Sequence, residues 1–165
     1  MRIAVASDHA GFALKQELVP LIRALGHEVL DQGTHGTEAV DYPDYAVAGC
    51  QAVLRGDADR AVLFCGSGVG MSIVANKLPG IRAGNVEDHY SAHQGVEHDD
   101  MNVLVLGGRT MGVAVAEELV RAFVAARFTG EARHARRLAK VLEIERHPDR
   151  FTGTEARLPA AASAG

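Results

Sequence analysis

Five short apolar runs, each of strand length and separated by segments of helical periodicity, constrain this chain most. The runs are 2–6, 28–30, 60–64, 81–85 and 102–106. None is long enough for a helix, whereas Leu14, Leu18, Leu21, Ile22 and Leu25 recur on one helical face and end at Gly26. Further helices are expected at about 45–55, 71–77, 87–97, 111–127 and 132–146. Run 60–64 is apolar on both faces, as the central strand of a parallel sheet must be. Strand–helix alternation of this kind predicts a three-layer α/β domain. There is no internal repeat, so residues 1–147 read as a single domain. From Pro148 the composition drifts to Thr, Gly, Pro and Ala, and 148–165 reads as a flexible tail.

Composition narrows the function. The 165 residues carry a net charge of −4 and few aromatics, which argues against a general nucleic-acid binder. No apolar run approaches the roughly 18 residues that cross a bilayer, and the start MRIAVASDH turns polar too early for a signal peptide. The two cysteines, Cys50 and Cys65, form no disulfide framework. A cytoplasmic protein is expected.

In a parallel sheet, ligands bind beyond the carboxyl ends of the strands. Three polar clusters fall there: Ser7-Asp8-His9, Cys65-Gly66-Ser67 and Gly107-Gly108-Arg109. The second opens FCGSGVGMS, with glycines at 66, 68 and 70. A dinucleotide fingerprint would need glycine where Met71 stands, and the G-K-[ST] of a Walker loop is absent. What remains is a nest of backbone N–H groups opening onto a helix, which stabilises an anion, either a bound one or one that develops during reaction. A thiolate is favoured beside a helix N-terminus and can serve there as base or nucleophile. That combination suits proton abstraction next to a carbonyl. The plainer alternative is that Cys65 is a small buried residue and the glycines only pack. Cys50, in an apolar helix, reads as buried.

SDHAGF (7–12), VDYPDYA (40–46), CGSGVGMSIVANKLPGIRA (65–83), NVLVLGGR (102–109) and RHARR (133–137) occur in this order. Together they resemble the ribose-5-phosphate isomerase B family, which includes the galactose-6-phosphate isomerase subunits. The resemblance covers roughly 1–147. It implies a Rossmann-like α/β/α sandwich with a five-stranded parallel sheet. It also implies a cofactor- and metal-independent aldose–ketose isomerase of a sugar phosphate, dimeric or tetrameric, with active sites at the subunit interface. By the resemblance Cys65 is the base, and Ser67 with the amides of Gly66, Gly68, Val69 and Gly70 stabilises a cis-enediolate. His98, from the partner subunit, assists ring opening. Asp8 handles hydroxyl protons and Tyr42 lines the sugar site. His9, Arg109, Arg133 and Arg137 hold the phosphate, with His134 nearby.

Residue chemistry supports these roles. Arginine presents a planar fork to phosphate, and positions 133 and 137 share a helix face. Histidine moves protons near neutral pH. The chain departs from the family at His98-Asp99, where His-Asn is usual: a neutral amide can donate to an enediolate oxygen, an ionised carboxylate cannot. Asp99 turns away, is protonated, or reads a substrate hydroxyl, so the sugar stays open among tetrose, pentose and hexose phosphates. Plainer readings stand beside the sharp ones. Asp8 caps a helix, the arginines form a solvated face, and Asn76-Lys77 ends a helix. His89, His93 and Glu97 offer zinc-type spacing, which would make a metal-dependent hydrolase. A non-catalytic or hetero-oligomeric sugar-phosphate-binding subunit is the other alternative.

Overall fold

The computed structural model describes residues 1–151. Its strands are β1 (Arg2–Ser7), β2 (Glu28–Asp31), β3 (Arg60–Cys65), β4 (Ala83–Asn85) and β5 (Val103–Gly107). Its helices are α1 (Phe12–Ala24), α2 (Tyr42–Leu54), α3 (Val69–Ala75), α4 (His89–Asp99), α5 (Val113–Ala125) and α6 (Ala132–Arg146). All five strands are parallel, in the order β2-β1-β3-β5-β4.

Strand periodicity sorts the core into two layers. On one face Ile3, Val5, Val62, Phe64, Leu104 and Leu106 meet Leu14, Leu18 and Ile22 of α1, Val96 of α4, and Leu119, Val120 and Phe123 of α5. On the other, Ala4, Ala6, Ala61, Leu63, Cys65, Val103 and Val105 meet Ala46 and Cys50 of α2 and Met71 and Ala75 of α3. The second layer is built of smaller residues, so its helices approach closely. At Gly49 of α2 an added Cβ would lie 2.6 Å from a Leu63 methyl. Burying each Leu, Ile or Phe contributes roughly 1.5–3 kcal/mol.

Several boundaries differ from the sequence reading. Helix α2 starts at Tyr42 rather than near 45, because Pro43 sits in its first turn, where a missing N–H costs nothing. Helix α3 starts at Val69 rather than 71, so the last glycine of the loop is already helical. Strand β4 holds three residues, and α4 is shifted two residues toward the C-terminus. Of the expected tail, Pro148–Phe151 forms a 3-10 turn, with Arg150 Nη1 2.5 Å from Glu143 Oε1. The remainder of that segment lies outside the described residues.

Lys15 is fully buried, against the usual preference of lysine for the surface. Its ammonium donates to Asp31 Oδ1 at 2.7 Å and to the Thr34 carbonyl at 2.6 Å, fastening α1 to the loop after β2. That loop continues the sheet edge: Ser7 N–H donates to Gly33 O at 2.6 Å and Thr34 N–H to Ser7 O at 2.8 Å. Replacing Lys15 with Met keeps the stem, removes the ammonium from the Thr34 carbonyl and leaves the Asp31 carboxylate without its cation, holding only the Gly33 N–H at 2.9 Å on Oδ1. Urea unfolding is expected to show a loss of about 3 kcal/mol, whereas a loss below about 1 kcal/mol would contradict this role for the ammonium.

Candidate active site

The three polar clusters meet at the carboxyl ends of adjacent strands β1, β3 and β5, through their backbones. Asp8 N–H donates to Phe64 O (3.1 Å), Gly108 N–H to Cys65 O (2.8 Å) and Arg109 N–H to Gly66 O (2.9 Å). Gly11 is required here. A Cβ at that position would overlap the Phe64 carbonyl and the Cys65 nitrogen, so only glycine lets the start of α1 rest on the end of β3. Asp8 Oδ1 accepts from Ala10 N–H (2.9 Å) and Gly11 N–H (2.8 Å) and so stabilises the turn into α1. The capping reading of Asp8 needs correcting: the N-cap of α1 is Gly11, with no side-chain cap, and Asp8 holds the turn that precedes the helix while lining the cleft.

Together these loops enclose an open cleft of about 410 Å³, walled by Asp8, His9, Ala10, Tyr42, Cys65, Gly66, Ser67, Gly70, Arg109 and Thr110. Cys65 is only 5 % exposed, and it lines this cleft. Its Sγ accepts a hydrogen bond from Gly68 N–H at 3.1 Å. Gly68 has φ +82°, a left-handed conformation that turns the amide back onto the sulfur. A side chain there would also collide with Asn85, whose Nδ2 donates to Ser67 O at 3.3 Å. Ser67 Oγ in turn accepts from Val69 N–H at 3.4 Å. Tyr42, at the start of α2, lays its ring against Gly70. His9 Nδ1 accepts from Val40 N–H at 3.2 Å, which leaves the neutral ring's proton on Nε2 as a donor.

His98, Asp99, Arg133, His134 and Arg137 are not among the walls of this cleft. They form a second group where α4 meets α6. Helix α4 is fixed at its start by Asp88, which accepts from Ser91 N–H (2.8 Å) and Oγ (2.6 Å). Those bonds hold the Asp88 carboxyl below the usual range. At its end, Arg82 binds the Asp100 carbonyl (2.7 Å) and carboxylate (2.6 Å). The His98 and His134 rings pack with centroids 3.9 Å apart. His134, expected beside a phosphate, is 1 % exposed; burial first, then the charges of His98 and Arg133, lowers its pKa. Arg133 and Arg137 project outward from α6, and Arg133 Nε donates to Glu131 at 2.9 Å.

Two local arrangements bear on the alternative readings. Asn76 exchanges hydrogen bonds of 2.9 Å with the backbone of Ala83 and so joins the end of α3 to β4. His93 Nδ1 lies 3.3 Å from Glu97 Oε2, and among the described residues no group of three or more His, Cys, Asp or Glu is placed to hold a metal ion. Sequence reasoning missed Ala10 and Thr110 as cleft walls, since neither residue type advertises a site. No helix among the described residues is long and apolar enough to cross a membrane.

A cleft at the ends of three parallel strands, with a thiol and an amide nest in one wall, is the arrangement expected for the family named by the motifs. The family model for ribose/galactose isomerases matches residues 3–141. The chain belongs to the ribose/galactose isomerase family. It is 43 % identical to ribose-5-phosphate isomerase B of Escherichia coli over 144 residues, which is 87 % of this chain and 96 % of that one. The solved ribose-5-phosphate isomerase B of Clostridium thermocellum is 44 % identical. It superposes with a TM-score of 0.87 over 90 % of this chain and 99 % of its own. A solved Mycoplasma genitalium ribose-5-phosphate isomerase B with bound ribulose 5-phosphate is 34 % identical, with a TM-score of 0.82 over 88 % of this chain and 96 % of that one. These likenesses make this ribose/galactose isomerase family member a sugar-phosphate isomerase with the family's α/β fold.

The two thiols differ in a way that alkylation reads out. Burial pushes Cys50 up to about 12, and it is 0 % exposed, while Cys65 borders the cleft. Iodoacetamide at about pH 8 is expected to modify Cys65 alone in the native protein and both cysteines after unfolding. Peptide mass mapping that finds Cys50 modified in the native protein, or Cys65 protected, would contradict the geometry.

Proposed function

We propose that this isomerase interconverts an aldose phosphate and a ketose phosphate of four to six carbons, ribose 5-phosphate and ribulose 5-phosphate among them, with Cys65 as the base. One observation carries the reading: the Cys65 sulfur lies in a cleft wall while accepting the Gly68 N–H at 3.1 Å, at the mouth of α3. Base and anion cradle are then a single loop.

The chemistry follows. Ring opening moves the anomeric hydroxyl proton to the ring oxygen, flanked by Asp8 and His98. The Cys65 thiolate takes the proton from C2 of the open aldose, and the C–H electron pair moves toward the C1 carbonyl. The negative charge arrives on O1, where Ser67 and the amides of Gly66, Gly68, Val69 and Gly70 stabilise it. The O2 proton then passes to O1, the sulfur returns its proton to C1, and a ketone forms at C2. Gly66 and Gly70 already line the cleft before charge develops, whereas the Gly68 and Val69 amides are engaged by Cys65 Sγ and Ser67 Oγ and turn to O1 as the charge arrives there.

His9 and Arg109 supply phosphate donors within the same cleft, and the fixed Nε2–H of His9 supports that role. Arg133 and Arg137 extend the clamp from α6, and Asp99 and His134 belong with that group. Because the second group does not wall the cleft of its own chain, we assign it to the site of a neighbouring copy. The enzyme is a homodimer, or a tetramer of two such dimers, in which the partner subunit's His98 completes each cleft. An isologous pair makes two such sites.

Subunit mixing tests this arrangement. Cys65→Ala and His98→Ala homo-oligomers are each expected to be inactive. Unfolding and random reassembly of an equal mixture should restore about one quarter of wild-type turnover, since half the dimers are mixed and each of those has one intact site. Zero recovery, with mixed dimers demonstrated by mass spectrometry, would place both residues in the same chain's site or remove one of them from catalysis.

A further inference from the structure

Gln94 lies one helical turn before His98 on α4. Its Nε2 is 2.8 Å from His98 Nδ1 and 3.3 Å from Asp99 Oδ2. Two acceptors around one amide end fix its identity. Were the amide turned over, its oxygen would face a carboxylate oxygen at the same short distance. The two Nε2 hydrogens therefore go to an imidazole nitrogen and to a carboxylate, and His98 Nδ1 is an acceptor. A neutral His98 then carries its proton on Nε2.

The other side of His98 is fixed by His134, whose ring packs against it at 3.9 Å. His134 Nδ1 is 2.9 Å from Thr129 Oγ1, and the single hydroxyl hydrogen of Thr129 is directed to the Glu97 carbonyl at 3.1 Å. Thr129 thus accepts from His134, which is the Nδ1–H tautomer. Its buried Nε2 finds no partner among the described residues. Burial first, then the charges of His98, Arg133 and Arg137, lowers the pKa of this ring, against the opposing charge of Glu131. His98 is thereby held between the His134 ring and an amide.

We propose that Gln94 is a positioning residue of the isomerase: it holds His98 as the Nε2–H tautomer and occupies the Asp99 carboxylate that would otherwise take the Nδ1 side. This rests on the reading of His98 as part of the active site. It also gives Asp99 a place beside His98. The carboxylate is engaged by the Gln94 amide, so it does not compete for the imidazole. The outward Nε2–H is left to donate to a sugar oxygen. Without Gln94, the Asp99 carboxylate that shares its amide with the ring is freed to turn to Nδ1, and pairing with it needs the opposite tautomer.

The test uses the full-length oligomer, with Gln94→Met as the variant of similar length and Gln94→Leu as a second should the first unfold. Long-range 1H–15N spectra of the ring nitrogens are expected to show His98 protonated at Nε2 and bare at Nδ1 in the wild type. Protonation should shift toward Nδ1 in Gln94→Met. With ribose 5-phosphate, kcat should fall by about 10- to 100-fold with KM changed less than about twofold. Adding Asp99→Asn to Gln94→Met removes the competing carboxylate and should return part of kcat. An unchanged tautomer, or a changed tautomer with unchanged kcat, overturns the proposal. Full turnover by His98→Ala would instead overturn the reading on which it rests, whatever the spectra show.

Discussion

The site depends on backbone-to-backbone contact between the loops that leave β1, β3 and β5. Gly11 permits the first, and the bonds from Gly108 to Cys65 and from Arg109 to Gly66 make the second. Side chains that would separate these loops are absent from the contact points. The cysteine is therefore held by the sheet itself rather than by a mobile segment. Strand periodicity explains why the thiol faces α2 and α3: Leu63 and Cys65 share the small-residue face of β3, while Phe64 faces α1 and α5. The close approach of α2 that those small residues allow also brings Tyr42 onto Gly70. One packing choice, small residues on one face of the sheet, thus places both the sulfur and the ring beside the space a sugar would enter.

The functional residues divide into two groups with different support. The cysteine group is built on strand ends and on helices α1, α2 and α3. The histidine–arginine group is built on α4 and α6, held by Arg82 on Asp100 and by Thr129 on Glu97. Helix α6 buries only His134, so most of its surface remains for solvent or another subunit. An apolar groove of about 610 Å³ runs between it, α4 and β4, with Val141 and Ile144 half exposed on its rim. Division of the chemistry between two chains would make assembly a condition of activity, and would relate the exposed face of α6 to catalysis rather than to folding.

Much of this was legible in the sequence because it rests on pattern. The five strands followed from apolar runs, and the cleft followed from the rule that ligands bind at strand ends. Cys65, Ser67, Asp8, His9, Tyr42, Gly66, Gly70 and Arg109 do gather there, as the motifs implied. The misread boundaries have plain causes. Pro43 looks like a helix breaker but is tolerated in a first turn, and glycines 68 and 70 look like loop although the second is helical. Lys15 was unreadable, since a lysine enters a core only when partners distant in sequence, here Asp31 and Thr34, surround its ammonium. Gln94 was legible in part. Its spacing of four to His98 marks a possible pair, but the tautomer it selects follows only from the position of Asp99. That the second histidine, His134, packs behind the first rather than facing solvent depends on where α6 lies, which no local pattern encodes.

Everything chemical in this account depends on a carbon-bound hydrogen leaving as a proton to the Cys65 sulfur. The most direct measurement is isomerisation in deuterium oxide, comparing wild type with a folded, assembled Cys65→Ala and reading the sugar phosphate by NMR. Solvent deuterium is expected at C1 or C2 with the wild type, and none above the uncatalysed background with the variant. Deuterium entering at the wild-type rate in the absence of that sulfur, or isomerisation by the wild type with no solvent deuterium at either carbon, would contradict it.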